Sequence, residues 1–144
     1  MHIKTNIRSI IIRKYLYGVF IICLLSCQTS LEDRFTLEAK EYTNRYCPKQ
    51  IDDVVVLDSV VYRKAYENNN GTYSYYHSVN VNEQGVDTLK THEKEIYDEF
   101  LNRINNTQDL KQIKDAGITI EYVFYSLDNN DQIFDFKFTK DIYK

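Results

Sequence analysis

Two stretches of alternating side chains near the C-terminus constrain the fold of this 144-residue chain most strongly. Residues 118–125 place Ile, Ile, Tyr and Phe on one face, and residues 133–139 place three phenylalanines on one face, Phe134, Phe136 and Phe138. Alternation of this kind is typical of strands with one buried face. The polar run at 128–131 between them predicts a turn. Residues 118–139 therefore predict an antiparallel hairpin with one apolar face.

A second hairpin is predicted between residues 54 and 81. Residues 54–62 are rich in β-branched side chains, and residues 72–81 alternate, with Tyr73, Tyr75 and His77 on one face. The Asn-Gly pair that ends the run 68–71 readily adopts the positive φ angles of a type I′ turn. Both hairpins need a cover for their apolar faces.

Helices are predicted before each hairpin. Apolar residues three and four apart indicate a helix over residues 31–45 and another between residues 89 and 104. Residues 109–116 predict a short third helix that ends at Gly117, a residue that tolerates a left-handed backbone. The order α-β-β-α-β-β predicts an α+β fold with helices packed on one face of a four-stranded antiparallel sheet.

This order of elements over residues 31–140 resembles that of small cystatin-like or β-lactamase-inhibitor-protein-like α+β envelope lipoproteins. The resemblance implies helices packed against one sheet face. It involves no diagnostic motif and transfers no functional residues.

The N-terminal segment has the three parts of a secretory signal. Four basic residues precede the apolar stretch 15–25, which is too short for the roughly 20 apolar residues that a spanning helix needs. Leu24-Leu25-Ser26-Cys27 follows and resembles the lipobox of bacterial lipoproteins. The resemblance implies that Cys27 is lipidated and becomes the first mature residue. An ordinary secretory signal, cleaved at another small residue, is the alternative.

The predicted organisation has three parts. Residues 1–26 form a cleaved signal peptide, residues 27–30 form the lipidated cysteine and a short tether, and residues 31–144 form a single α+β domain. A thiolate is the nucleophile suited to accept a diacylglyceryl group. The resemblance therefore implies a lipid-anchored protein of the bacterial envelope, and Gln28 is compatible with the outer membrane.

Charge and cysteine content limit the kinds of molecule that this protein is expected to bind and the disulfides that it can form. The chain has 18 basic and 21 acidic residues, and loss of the four basic residues of the signal leaves 14 against 21, a net charge near −7. This balance argues against nucleic acid as a partner. Cys47 is left without a partner in its own chain, which excludes an intramolecular disulfide framework. A monomer is expected, although an intermolecular disulfide through Cys47 stays open.

No catalytic, metal or cofactor site is predicted. After processing, His77 and His92 are the remaining histidines, and neither lies in a nucleophile or zinc motif. Residues 128–131 lack the spaced oxygen ligands of a calcium loop.

Tyrosine, present 13 times, supplies the candidate binding surface. Tyr76, Val123, Tyr125 and Ile133 are predicted on the sheet face away from the helices. Tyrosine combines apolar area with a hydroxyl group, so these residues form a hypothetical protein-binding site. Alternatively they merely cover a wet sheet face.

The sequence thus predicts a non-enzymatic, membrane-anchored module that binds another envelope protein, as an assembly factor, inhibitor or immunity-type partner. The alternative is a small-ligand carrier or enzyme with a pocket between helix and sheet.

Overall fold

The computed structural model of the chain describes residues 30–66 and 70–143. Within these ranges it contains four helices and five strands. The helices are α1 (Leu31–Tyr46), α2 (Glu83–Thr91), α3 (Glu93–Asn106) and α4 (Lys111–Asp115). The strands are β1 (Lys49–Gln50), β2 (Val55–Arg63), β3 (Thr72–Val79), β4 (Thr119–Ser126) and β5 (Gln132–Phe138). The predicted α+β class is confirmed, and both hairpins are present.

The prediction of four antiparallel strands was wrong, because the sheet has five strands and is mixed. The strands lie in the order β1-β2-β3-β4-β5, and β3 and β4 run parallel from the pair Thr72↔Thr119 to the pair Val79↔Ser126. Helices α2 to α4 return the chain to the end at which β3 began, and parallel neighbours require such a crossover. The additional strand β1 has two residues, too few to show an alternation.

The helical region between the hairpins also differs from the prediction. The single helix expected over 89–104 is divided at His92 between α2 and α3. Helix α2 begins earlier than predicted, and Asn82 caps it by accepting from the Gly85 amide at 2.9 Å. The short third helix is present, and Gly117 follows it with a φ of +68°. That left-handed conformation is the one for which the glycine was predicted.

All four helices contribute to the cover over one sheet face. Phe35 of α1 packs against Tyr62 with ring centroids 5.5 Å apart, and Tyr97 of α3 stacks on Phe138 at 4.7 Å. The Thr43 hydroxyl of α1 donates to the carbonyl of Val60 and accepts from its amide, both at 2.8 Å. Helix α1 therefore lies over β2 and β3, whereas α3 lies over β4 and β5.

Gly71 is required because a side chain at this position would collide with the ring of Tyr62. The predicted type I′ turn lies partly outside the described residues, but Gly71 itself is described and is not among the residues with positive φ. A Cβ atom built on Gly71 would lie 2.8 Å from Cζ of Tyr62. The glycine thus allows the Tyr62 ring to reach its place beside Phe35 and Tyr73.

Cys47 occupies the position expected for a small apolar residue at the end of α1. It is half-buried against the core and forms no disulfide in the structure. Burial raises the pKa of its thiol, and nearby Asp58 raises it further. A raised pKa makes the thiol less reactive near neutral pH.

None of the helices in residues 30–66 and 70–143 has both the length and the apolar character needed to span a bilayer.

Candidate functional site

A groove of about 670 Å³ lies over β3, between the helices that cover the two halves of the sheet. Its floor is formed by the β3 side chains that face the helices, Tyr73, Tyr75, His77 and Val79. One wall includes Tyr42 of α1, and the other includes Phe100 of α3. The groove therefore follows the strand at the centre of the sheet.

The floor is a continuous layer of stacked rings. Tyr75 stacks on Tyr122 with centroids 5.0 Å apart and planes 14° apart, and His77 stacks on Phe124 at 4.7 Å and 16°. These pairs are direct neighbours in the parallel register of β3 and β4. Because the stacked rings hold one another in place, the groove is pre-formed.

The walls of the groove are apolar and its rim is polar. The apolar side chains come from β2, from α2 and α3, and from positions next to β2, β3 and α4, and include Val54, Val55, Leu57, Val60, Val81, Leu89, Ile96 and Leu110. Lys49, Asp52, Arg103 and Asp109 also line it, and all four are exposed. Since both signs of charge are present, the groove has no strong preference for a charged ligand.

The tyrosines of the floor keep their protons. Burial raises the pKa of Tyr73 to about 12 and that of Tyr122 to about 12, and burial beside Tyr122 raises the pKa of Tyr75 further still. Their hydroxyl groups are therefore neutral across the physiological range, and each can donate or accept a hydrogen bond.

His77 provides a buried polar atom in the same floor. Its Nδ1 atom has no hydrogen-bond partner among the described residues. Burial lowers the pKa of the ring, against smaller opposing effects of the backbone at Val123 and Tyr75 and of Asp58, so His77 is neutral near pH 7. No carboxylate in the described part of the chain bonds to Nδ1, and the histidine–carboxylate pair that would favour an enzyme does not form through that atom.

Comparison with known proteins places this chain in a protein family. The profile of one protein family, described as Domain of unknown function (DUF8479), matches residues 30–134. The chain belongs to the DUF8479 family. The match includes the four described helices, the first hairpin and β4, and it ends within β5, so it includes every residue that lines the groove. A search of curated proteins finds no match to the chain.

Two solved structures share the fold of this DUF8479 protein at low sequence identity, and a third aligns less well. A Pseudomonas aeruginosa protein assigned as secreted aligns with a TM-score of 0.59 and 13% identity over 79% of this chain and 97% of its own. The pilotin EpsS of the Vibrio vulnificus type 2 secretion system aligns with a TM-score of 0.55 and 10% identity, over 79% and 92%. The pilotin AspS of Vibrio cholerae aligns with a TM-score of 0.44 and 11% identity, over 77% and 94%.

The predicted binding residues of the DUF8479 domain do not form one exposed patch. Tyr76 and Tyr125 are half-buried on the outer sheet face, and Val123 beside Tyr76 is only 4% exposed. Ile133 is 9% exposed and packs with the core, because the register shifts at Phe124/Tyr125 and leaves it without a partner on β4. Cys27, the predicted lipidation site, lies outside the described residues.

Polar side chains dominate the outer face instead. The side chain of Glu121 is 5% exposed and accepts hydrogen bonds from Ser74 Oγ and Arg63 Nη2, each at 2.5 Å. Lys137 Nζ lies 3.3 Å from its other oxygen. Arg63 also donates to the Tyr76 hydroxyl at 2.7 Å, which engages one of the predicted binding residues within the domain.

Glu121 gives the DUF8479 domain a testable dependence on pH. Burial raises the pKa of its carboxyl group, but the hydrogen bonds from Ser74 and Arg63 and the Arg63 charge outweigh burial and hold it below the usual value. A depressed folded-state pKa contributes stability that is present above the pKa of the unfolded chain and lost as the pH falls through the folded pKa. This stabilisation is therefore complete near neutrality and is lost in acid, below the normal range of a glutamate.

We expect Glu121→Gln to lower the free energy of unfolding at pH 7 by about 1–3 kcal/mol, since it removes a buried, hydrogen-bonded charge. The variant should also lose less stability than the wild type between pH 5 and pH 3. Urea titrations across that range measure both effects. If the free energy of unfolding fell equally for both proteins between pH 5 and pH 3, the stabilising role of the Glu121 charge would be contradicted.

Proposed function

We propose that this protein is a lipid-anchored envelope protein without enzymatic activity, which binds a polypeptide partner in the groove over β3. The observation that carries the proposal is the groove itself, with its apolar walls, its stacked aromatic floor and its polar rim. Apolar concave surfaces with a few polar groups are the usual form of binding sites.

The floor of the groove limits the conformation that a bound partner segment can have, because the backbone of β3 is already paired. β3 is already paired with β2 on one side and β4 on the other, so its backbone offers no hydrogen bonds to an added strand. Only side chains are presented. A helix satisfies its own backbone hydrogen bonds and needs only side-chain contacts, so the partner segment is an amphipathic α-helix.

The dimensions agree with a helix face. The segment of β3 from Tyr73 to Val79, which contains the four floor residues, extends over about 20 Å at the rise of a strand, and this equals about 13 residues of α-helix. The groove volume of about 670 Å³ suits the apolar side chains of one helix face rather than an entire helix. The rest of the partner helix would stay above the rim, beside the charged side chains of Lys49 and Arg103.

The likeness of fold supports a role in an envelope assembly. EpsS, which shares this fold, is a pilotin of a type 2 secretion system. We extend that role to this chain as an accessory protein that holds a component of a larger envelope assembly.

The anchor belongs to the same proposal. Lipidated Cys27 would begin the mature protein, residues 28–30 would tether it, and one α+β domain would follow from residue 31. Three residues reach roughly 10 Å when extended, so the domain would stay beside the membrane. We place it at the outer membrane, where the partner would be another envelope protein.

Site-specific photocrosslinking in cells tests the binding proposal. With p-benzoylphenylalanine at Lys49 or Arg103 on the groove rim, we expect a discrete protein adduct, and mass spectrometry should locate the crosslink in an amphipathic helical segment. Matched positions on the outer sheet face, Val61 and Tyr125, should give none. Adducts from the outer face alone would move the site there and reject the groove.

The second candidate function is a small-ligand carrier. The polar groups of Tyr75, Tyr122 and His77 among the apolar side chains that line the groove favour it, since small-ligand sites combine apolar walls with a few polar groups. A small molecule that co-purifies with the protein, together with an absence of protein adducts from the rim, would support the carrier.

A further inference from the structure

We infer that β5 is a dimerisation edge, at which a second copy of this chain adds its own β5 in antiparallel orientation about a two-fold axis at Phe136. This surface is an edge of the sheet, whereas the groove lies over its face and shares only Phe134 with the described residues of β5. The inference does not depend on the proposed function.

The edge is open and long. β5 is the last strand of the sheet and pairs with β4 alone, so one side of its backbone has no strand partner in the described residues. It has seven residues, whereas the strand at the opposite edge, β1, has two. An exposed edge strand offers backbone donors and acceptors to another chain. Helix α3 packs on the face of β5 through Tyr97 rather than along its edge.

The strand is complementary to itself in one register. With the axis at Phe136, Asp135 lies opposite Lys137 of the second copy, and Lys137 lies opposite Asp135 of the second copy. Phe134 then faces Phe138, on the side covered by the helices. Directly opposed side chains of an antiparallel pair lie about 5 Å apart, close enough for these charges to attract.

The same charges make the neighbouring registers unfavourable, because like charges would then lie opposite each other. A shift of the axis to residue 135 would oppose two aspartates, and a shift to residue 137 would oppose two lysines. A parallel arrangement in register would oppose both like pairs. Asp135 and Lys137 already lie 2.7 Å apart within one chain, so both charges are held at the outer face of the edge, ready for the partner. A single antiparallel arrangement is therefore selected.

The covering helices leave room for this arrangement. Helix α3 contacts Tyr122 on β4 and Phe136 on β5, so it lies above the space between these strands. With strands about 4.8 Å apart, the two copies of α3 would lie about 10 Å from each other. Packed helices approach to about 8–10 Å, so the two copies could pack against each other without a clash.

Sedimentation of the purified full chain in detergent, over a wide range of concentration, tests the dimer through complementary charge variants. Asp135→Lys makes both edge charges positive, and Lys137→Glu makes both negative. We expect each variant alone to dimerise at least tenfold more weakly than the wild type, because two like-charge pairs then face each other. An equimolar mixture should recover dimerisation, because every pair across the axis is again attractive.

Lys137→Glu also faces Glu121 within its own chain, so circular dichroism must first show that it folds. Zero-length carbodiimide crosslinking of wild-type chains, mixed with and without ¹⁵N, provides a second measurement that needs no substitution. Mixed-isotope peptides joining Asp135 to Lys137 are expected. A monomer at all concentrations, variants that associate like the wild type, or an absence of mixed-isotope crosslinks would each overturn the inference.

Discussion

Cys27→Ala is expected to release nearly all of the protein from the membrane into the soluble envelope fraction. Each buried methylene of an acyl chain contributes about 0.8 kcal/mol to membrane binding, and two or three chains together hold a protein stably. Without the thiol, no acyl chain can be attached at this position. Membrane fractionation after labelling with radioactive palmitate measures both the location and the label.

The sequence offers a matched control four residues away. Cys23→Ala also removes a cysteine from the N-terminal segment, but it leaves the lipobox resemblance at 24–27 intact. This variant should keep its label and its membrane location. A mature wild-type protein that begins at another residue, or that has no acyl mass on Cys27, would contradict the anchor. The groove proposal would survive that result, since it depends on the folded domain alone.

Local alternation made the hairpins predictable. Phe134, Phe136 and Phe138 occupy one face of β5, and β4 presents Ile120 and Phe124 on the same side of the sheet, as the sequence pattern indicates. The polar turn between these strands was predicted as well, and Asn130 takes a φ of +62° there. Each of these features depends on residues that are close together in the chain, and a sequence pattern can reveal such local features.

Pairing between the two hairpins was not predictable in the same way. Whether β4 lies parallel or antiparallel to β3 depends on the path of about 40 intervening residues, and the side-chain alternation is the same for both arrangements. The parallel pairing brings Ser74 beside Glu121, two outer-face residues that no sequence pattern connects. A buried polar cluster therefore lies on the face for which the sequence analysis predicted a binding surface or, alternatively, a merely wet one.

The candidate groove depends on that same pairing. The prediction placed Tyr73, Tyr75 and His77 towards the helices, which is correct, but it expected the binding surface on the other face. Only the register of β3 with β4 shows that Tyr75 and His77 stack beside Tyr122 and Phe124. The gap above them results from the separate positions of α1 and α3, which periodicity cannot show.

The second large effect is expected from a pair of valine substitutions, Val54→Asp and Val61→Asp. Val54 lines the groove and is 40% exposed, whereas Val61 lies on the outer sheet face and is 39% exposed. Both changes place one carboxylate at a position of equal exposure, so they differ mainly in location. Because both valines are partly exposed, each variant should lose less than about 1 kcal/mol of folding stability.

We expect Val54→Asp to weaken binding of the partner helix by about 30-fold, which corresponds to about 2 kcal/mol for a carboxylate desolvated against an apolar helix face. Val61→Asp should change the affinity by less than about twofold. Fluorescence anisotropy with a labelled peptide of the crosslinked segment measures both constants, and thermal melts check folding. Equal losses of affinity in the two variants would mean that the partner does not bind in the groove, because Val54 lines the groove and Val61 does not.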